Sequence, residues 1–394
     1  MFTRCRLLLA CAALVALPPS ASHAQDPKPP IRGLISMGAY KFVGAGGDPV
    51  NTLTPIEKKR GIFSGLVIVA SWAQLQPAPG AQIADDNVID QALDKVRGYN
   101  TRNPQKPLAV KLRIWGGFEA PDWAKSIGGP PINTVHNSKA RTIGRFWSPA
   151  YRKAWADLQT QLAARYDNRP LIREVAITSC MSYTAEPFFL PVNEPLVMNP
   201  LLAAGYKGAA YRFCLSNAID DYAAWKRSRL VFPFKPLRAE PTTTPGPGDP
   251  AFTEKVMLAC REAIGVRCVF DNHDLDNNLA GPLRPIYAYM KQLGPEIEFQ
   301  TACASPQNYD ETIRFGAYYG ASGIALSGLR RLSLRGQFQA QEMGCHARGE
   351  RSPEIRKATG PSHSLPKAGN HQGALTRPQP RTKMKMLMFG AYRD

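Results

Sequence analysis

The chain has 394 residues, 44% hydrophobic and 20% charged, which is enough apolar material for a large core and matches either two domains or one α/β barrel. Its formal charge is +18 at pH 7. Half of that excess lies after residue 328, where thirteen Lys and Arg face four Asp and Glu; the body shows no basic stripe interleaved with aromatics, which argues against nucleic acid as a partner.

At the start, Arg4 and Arg6 precede the apolar run "LLLACAALVAL" and then "PPSASHAQ", with Ser22 and Ala24 two apart before Gln25. This is the layout of a secretory leader over residues 1–24, and the run is too short to span a bilayer. It predicts a secreted or periplasmic protein with no membrane attachment after cleavage. Cys5 and Cys11 leave with the leader, so six cysteines remain, and export permits disulfides. Cys260 and Cys268 flank one short helix-to-strand turn and make a candidate pair, although spacing alone does not assign connectivity. No two cysteines stand in a CxxC spacing, which argues against zinc.

Eight short apolar runs then follow in order: "RGLISMGAY", "GLVIVASW", "LAVKLRIW", "IREVAITSC", "RLVFPF", "RCVFDNH", "IEFQTA" and "GIALSG". Runs of Val, Ile, Leu and Phe without strict alternation suit parallel strands buried on both faces. Helical patterns lie between them. "NVIDQALDKV" brings Val88, Ile89, Ala92, Leu93 and Val96 to one face; "SPAYRKAWADLQTQLAARY" does so with Tyr151, Trp155, Leu158, Leu162 and Tyr166, with Ser148 to cap and Pro149 in the first turn. "AFTEKVMLACREAIG" ends on Gly265, a helix stop. Eight strands alternating with helices predict a closed (β/α)8 TIM barrel over residues 25–328, since "VGAGGDP" after the first strand lacks the glycine order of a dinucleotide turn. Pro233 makes the fifth strand the weakest of the eight. From Leu329 to Asp394 the chain is rich in Arg, Gly, Pro, Ser and Gln with no apolar period, which predicts a disordered or aberrant basic tail.

In such barrels the chemistry sits at the C-terminal ends of the strands. Glu186, six residues after Cys180, lies on the loop leaving strand four, and Glu298 lies in strand seven; two such acids facing each other would form a two-carboxylate glycosidase centre. Trp72 and Trp115 end strands two and three, and Tyr183, Asn272 and His273 follow strands four and six. Aromatic faces stack on pyranose rings while amides and imidazole serve hydroxyls. Arg113, Glu119 and Gln300 complete the expected substrate-binding set, with Glu119 as a reserve acid. Each has a structural reading beside it: Glu298 as an inward acid of a barrel layer paired with Arg113, Glu186 as a solvated loop acid, His273 as a cap, the two tryptophans as core. "DLDNNLAG" fails as a calcium loop because Leu279 stands where glycine is needed and Pro285 where the bidentate glutamate belongs. No cofactor or metal is expected.

"VIVASWAQLQP", "FEAPDWAK" and "SPAYRKAWADLQTQLAARYDNRPLI" together resemble retaining clan A glycosidases of the bacterial β-galactosidase type, over roughly Ile31 to Gly328. The resemblance implies Glu186 as acid/base and Glu298 as nucleophile, with a raised pKa on Glu186 from its anionic neighbour and apolar wall and carboxyls ~5 to 5.5 Å apart. It also exposes two departures, Ala185 where the clan has Asn and Gln300 where it commonly has Gly. Asn193, Glu194 and Pro195 spell the clan's acid/base triplet, but they stand fourteen residues beyond the strand end, so Glu186 is preferred. The expected activity is cleavage of an oligo- or polysaccharide by an exported retaining glycoside hydrolase. The competing class is a non-catalytic carbohydrate-binding barrel, in which Ala185 and Gln300 mark a decayed site.

Overall fold

The computed structural model describes residues 26–41, 50–51, 53–59, 61–136, 138–183, 185–244, 246–276, 283–301 and 309–326. The expected leader and basic tail lie outside them. Among the described residues there are eleven strands: β1 (Gly33–Lys41), β2 (Val50–Asn51), β3 (Phe63–Ser71), β4 (Ala109–Trp115), β5 (Ile132–His136), β6 (Lys139–Ile143), β7 (Ile172–Ala176), β8 (Arg229–Pro233), β9 (Cys268–Asp271), β10 (Ile297–Thr301) and β11 (Ala321–Leu326). Eight of them, β1, β3, β4 and β7 to β11, pair in parallel in that order, and β11 returns to β1 with Gly33 opposite Gly323. The ring closes, giving the (β/α)8 barrel that the eight apolar runs predict. β2 adds one antiparallel edge to β1, and β5 and β6 form a separate hairpin. Pro233 is tolerated because it is the last residue of β8, where a missing N–H interrupts nothing.

The helices are α1 (Thr54–Glu57), α2 (Trp72–Leu75), α3 (Val88–Arg102), α4 (Asp122–Lys125), α5 (Pro149–Tyr166), α6 (Pro195–Ala203), α7 (Gly208–Ser216), α8 (Pro250–Ile264), α9 (Leu283–Gln292) and α10 (Tyr309–Tyr318). Local chemistry sets their ends. Asn87 Oδ1 accepts from the Ile89 N–H at the start of α3, and Ser148 Oγ accepts from the Tyr151 N–H at the start of α5. Gly265, at φ 55°, ends α8 in a conformation that costs a side-chain-bearing residue. α5 buries Tyr151, Trp155, Leu158, Leu162 and Tyr166 in one stripe, each such side chain contributing roughly 1.5–3 kcal/mol of gross hydrophobic stabilisation. None of the described helices is long and apolar enough to cross a membrane.

Alternation along the strands splits the core into two layers. Val110, Leu112, Ile114, Ile297 and Phe299 face outward to the helices. Inside the ring, Ile35, Met37, Val67, Val69 and Ala325 form a small apolar cluster under β11, β1 and β3. The opposite side, from β4 round to β10, carries buried Lys111, Arg113, Glu174, Asp271, Glu298 and Gln300. The N-terminal end of the barrel is closed by residues 26–32. There the Lys28 ammonium donates to Arg169 O, Ile172 O and Ser228 Oγ at 2.9, 2.6 and 3.0 Å, and the Ile31 N–H donates to Glu174 Oε1 at 2.6 Å. Two disulfides join Cys180 to Cys214 and Cys260 to Cys268.

Candidate active site

The loop leaving β7 is held at several points before it presents Glu186. Cys180, at φ 65°, is tied to α7 by its disulfide; Ser179 Oγ bonds Asp221; Tyr211 OH donates to Pro187 O; and Ser182 Oγ donates to Phe189 O at 3.0 Å. Glu186 is thereby directed into the C-terminal mouth of the barrel with 15% of its side chain exposed. Its Oε2 lies 2.5 Å from Lys235 Nζ and its Oε1 lies 3.3 Å from His273 Nδ1. Lys235 also meets Asp274 Oδ2 at 2.9 Å, so one ammonium bridges two carboxylates at the mouth.

The charge state of Glu186 differs from the expectation. Burial works to raise its pKa, but Lys235 and His273 outweigh burial and hold the carboxyl far below the usual carboxylate range. A cation occupies the place where an anionic neighbour was expected. Lys235 responds in kind: burial would lower it, yet Asp274 and Glu186 keep its ammonium above the ordinary lysine value.

Below the mouth, His273 Nε2 lies 3.1 Å from Asp271 Oδ2 and 3.2 Å from Arg113 Nη2, and Arg113 Nη1 donates to Gln300 Oε1 at 2.8 Å. Beneath this layer, nearer the N-terminal ends of the strands, Lys111 pairs with Glu298, each side chain 1% exposed. Glu174 is the third member. Burial first, and then the Glu298 charge, raise its pKa well above the ordinary value. Glu174 Oε2 and Glu298 Oε1 are buried without a hydrogen-bond partner among the described residues.

Among the described residues Glu186 and Glu298 share no ion-pair partner. Glu186 stands at the mouth; Glu298 points inward one layer deeper, because Gln300 takes the position two residues nearer the C-terminal end of β10 and, with Arg113, fills the level between. Its cation is Lys111, in place of the Arg113 considered from sequence. Glu194 is exposed at the N-cap of α6 and joins no cluster.

Several of the expected sugar contacts are buried within the protein. Trp72 is fully buried, because Ser71 and Gln74 form a capping box that turns the chain into α2 and sends the indole outward among Trp123, Tyr151 and Trp155 at ring distances of 5.2–5.4 Å. Tyr183 is 1% exposed, its hydroxyl 2.6 Å from Thr134 Oγ1. Asn272 is spent within the protein: Nδ2 donates to Phe234 O at 2.7 Å, and Oδ1 accepts from Tyr287 OH and the Asp274 N–H at 2.7 and 2.9 Å. Arg113 and His273 are 2% exposed and act on the mouth by positioning. Trp115 is partly exposed at the end of β4 against the apolar interior cluster. Glu119 is half-buried on a short 3-10 turn (Gly117–Glu119), its pKa raised by burial against the pull of Arg141 and Lys125.

Sequence reading missed Lys235 and Asp274. Lys235 follows β8 by two residues in "VFPFKP", and Asp274 adjoins His273; position just past a strand end was the available signal in both cases.

No protein-family model and no curated protein matches the sequence. Among solved structures the chain is similar to endo-glycoceramidase II from Rhodococcus sp., at 14% identity over 75% of this chain and 73% of that one, with a TM-score of 0.40. It is also similar to the catalytic domain of a β-amylase from Paenibacillus polymyxa, at 8% identity, 76% and 93% coverage and a TM-score of 0.44. An exo-β-1,4-mannosidase from Opitutaceae bacterium strain TAV5 shares 10% identity over 75% of this chain and 52% of its own, with a TM-score of 0.39. The barrel assignment rests on the strand pairing itself.

Proposed function

We propose that the chain is an exported glycoside hydrolase that cleaves an oligo- or polysaccharide by a retaining mechanism, with Glu186 as the carboxylate that meets the scissile bond. One observation carries the reading: a partly exposed carboxylate, kept ionised, stands at the C-terminal mouth of the barrel and shares an ammonium with a second carboxyl, Asp274. A shared ammonium keeps the two carboxyls close enough to act on one anomeric centre, which favours the short separation of a retaining pair over the wider one that accommodates a water. The two disulfides and the leader-like start favour an oxidising compartment.

The lowered pKa decides the division of labour. An anion held by Lys235 and His273 is suited to attack C1, so Glu186 takes the nucleophile's role, and the exchange of a proton with the leaving oxygen falls to the other carboxyl of the mouth, Asp274, at 33% exposure. This reverses the role that the clan A resemblance implies for Glu186 and moves the second carboxyl from Glu298 to Asp274. His273 holds Glu186 in place and is itself held by Asp271 and Arg113. Trp115, at the rim, offers a face for a sugar ring.

The test is a screen on aryl glycosides followed by trapping with a 2-deoxy-2-fluoro glycoside of whichever sugar turns over. Glu186→Gln is expected to reduce kcat on the order of 10³-fold with little change in Tm, and the trapped sugar is expected on Glu186. A label on Glu298 overturns the assignment in favour of the deeper acid. Sugar binding with no turnover of any glycoside establishes instead the non-catalytic carbohydrate-binding barrel.

A further inference from the structure

Beside the mouth, a second feature lies unused by the chemistry above. The segment between β4 and α5 folds into the 3-10 turn, α4 and the β5–β6 hairpin, and between them runs an open groove of about 310 Å³ lined by Phe118, Lys125, Asn133, Ala140, Arg141 and Thr142. It adjoins the loop that carries Glu186, because Tyr183 on that loop bonds Thr134 of the hairpin and packs against both Phe118 and His136, at ring distances of 4.7 and 5.7 Å.

The two cations of the groove lack adequate partners. The Lys125 side chain is 10% exposed, makes no hydrogen bond among the described residues, and meets only Asp122 at 3.8 Å, a carboxylate that is 97% exposed and so well screened. Arg141 has no ion pair among the described residues; its guanidinium lies 5.9 Å from the centre of the Phe118 ring. Glu119 faces both cations, but burial opposes its ionisation. An ammonium taken largely out of water with so weak a counter-charge is stabilised by any anion that enters the groove.

We propose that this groove is a subsite for an acidic sugar, a uronate residue of the substrate, with its carboxylate between Lys125 and Arg141 and its ring against Phe118. Asn133, Ala140 and Thr142 complete the lining of the groove. The inference rests on the carbohydrate reading of the mouth and narrows its substrate class to glycans that carry carboxylates. A free carboxylate or phosphate would satisfy the cations but would leave the aromatic ring unused.

The experiment is calorimetric titration of the full mature protein with trigalacturonate and with its carboxyl-reduced galactose counterpart, at low ionic strength. The acidic trimer is expected to bind at least ~10-fold more tightly, with the advantage shrinking as salt screens the two cations. Arg141→Ala, at an exposed position, and Lys125→Met are each expected to remove most of that advantage. Equal affinity for the two trimers overturns the proposal, as does an advantage that persists in both variants. Inorganic phosphate displacing the acidic trimer at equal concentration would show a simple anion trap and also overturn it. Uronate binding with no turnover of any glycoside sinks the hydrolase reading and leaves the subsite standing; turnover without acid preference does the reverse.

Discussion

Between β11, β1 and β3 the barrel is filled by Ile35, Met37, Val67, Val69 and Ala325, whereas from β4 round to β10 the interior holds Lys111, Arg113, Glu174, Asp271, Glu298 and Gln300. The first side is held by area removed from water, which needs no particular geometry. The second is held only because each charge has a counterpart: Glu298 for Lys111, a proton for Glu174, His273 for Asp271, Gln300 for Arg113. Buried pairs of this kind add little net stability, yet losing one member strands the other. The mouth cluster sits on the charged side, where Arg113 and Asp271 position His273 and His273 meets Glu186. One side supports the barrel and the other supports the site.

The largest effect expected inside the ring is from Lys111→Met, which leaves the Glu298 charge buried without its ammonium. Urea denaturation should show a loss of ~3–5 kcal/mol, with most of it recovered when Glu298→Leu is added. A single variant as stable as the wild type would show that water reaches this layer and would erase the contrast. On the apolar side Ile35→Val should cost only ~0.5–1.5 kcal/mol by the same measurement. A cost as large as that of Lys111→Met would mean that packing, and not charge, is the fragile element on both sides.

The smallest effect is expected from Glu174→Gln and is visible in its pH dependence. The folded-state pKa of Glu174 is raised, so the folded protein keeps a proton that the unfolded chain releases. Wild-type stability should therefore fall as pH rises from the unfolded carboxylate value, about 4.3, through the folded value. The glutamine variant keeps its hydrogen everywhere, so its urea midpoint should match the wild type near pH 5 and exceed it near pH 8. Parallel curves would show that Glu174 titrates alike in the folded and unfolded chain.

Much of the fold could be read directly. All eight barrel strands coincide with apolar runs, because strands covered on both sides must be apolar outward and largely so inward. Ser148, Asn87 and Gly265 mark helix ends through their own side chains or lack of one. The site was harder. "IEFQ" reveals that Glu298 and Gln300 share a face, but depth along the barrel axis depends on where each strand enters the ring, and the pairing of β10 with β9 and β11 decides that. Trp72 follows an apolar strand as a rim aromatic would, yet the Ser71–Gln74 box one residue earlier turns it into the outer layer. Lys235 and Asp274 are legible only as residues near strand ends, and Lys235 meets Glu186 from 49 positions earlier in the chain and Asp274 from 39 positions later.

The seal at the base of the barrel sets terms for how the molecule comes to exist. Lys28 reaches Ser228 across 200 residues, and Gly33 lies beside Gly323. Contacts so remote in the chain make for slow folding. During synthesis the earliest strand must wait, with one edge unpaired, until nearly the last described residue has emerged, and an open edge is a template for pairing with another chain. Newly made copies thus pass through an interval of vulnerability to aggregation that the finished ring does not share, and any factor that shields β1 in that interval should raise the yield of folded protein without altering its final stability.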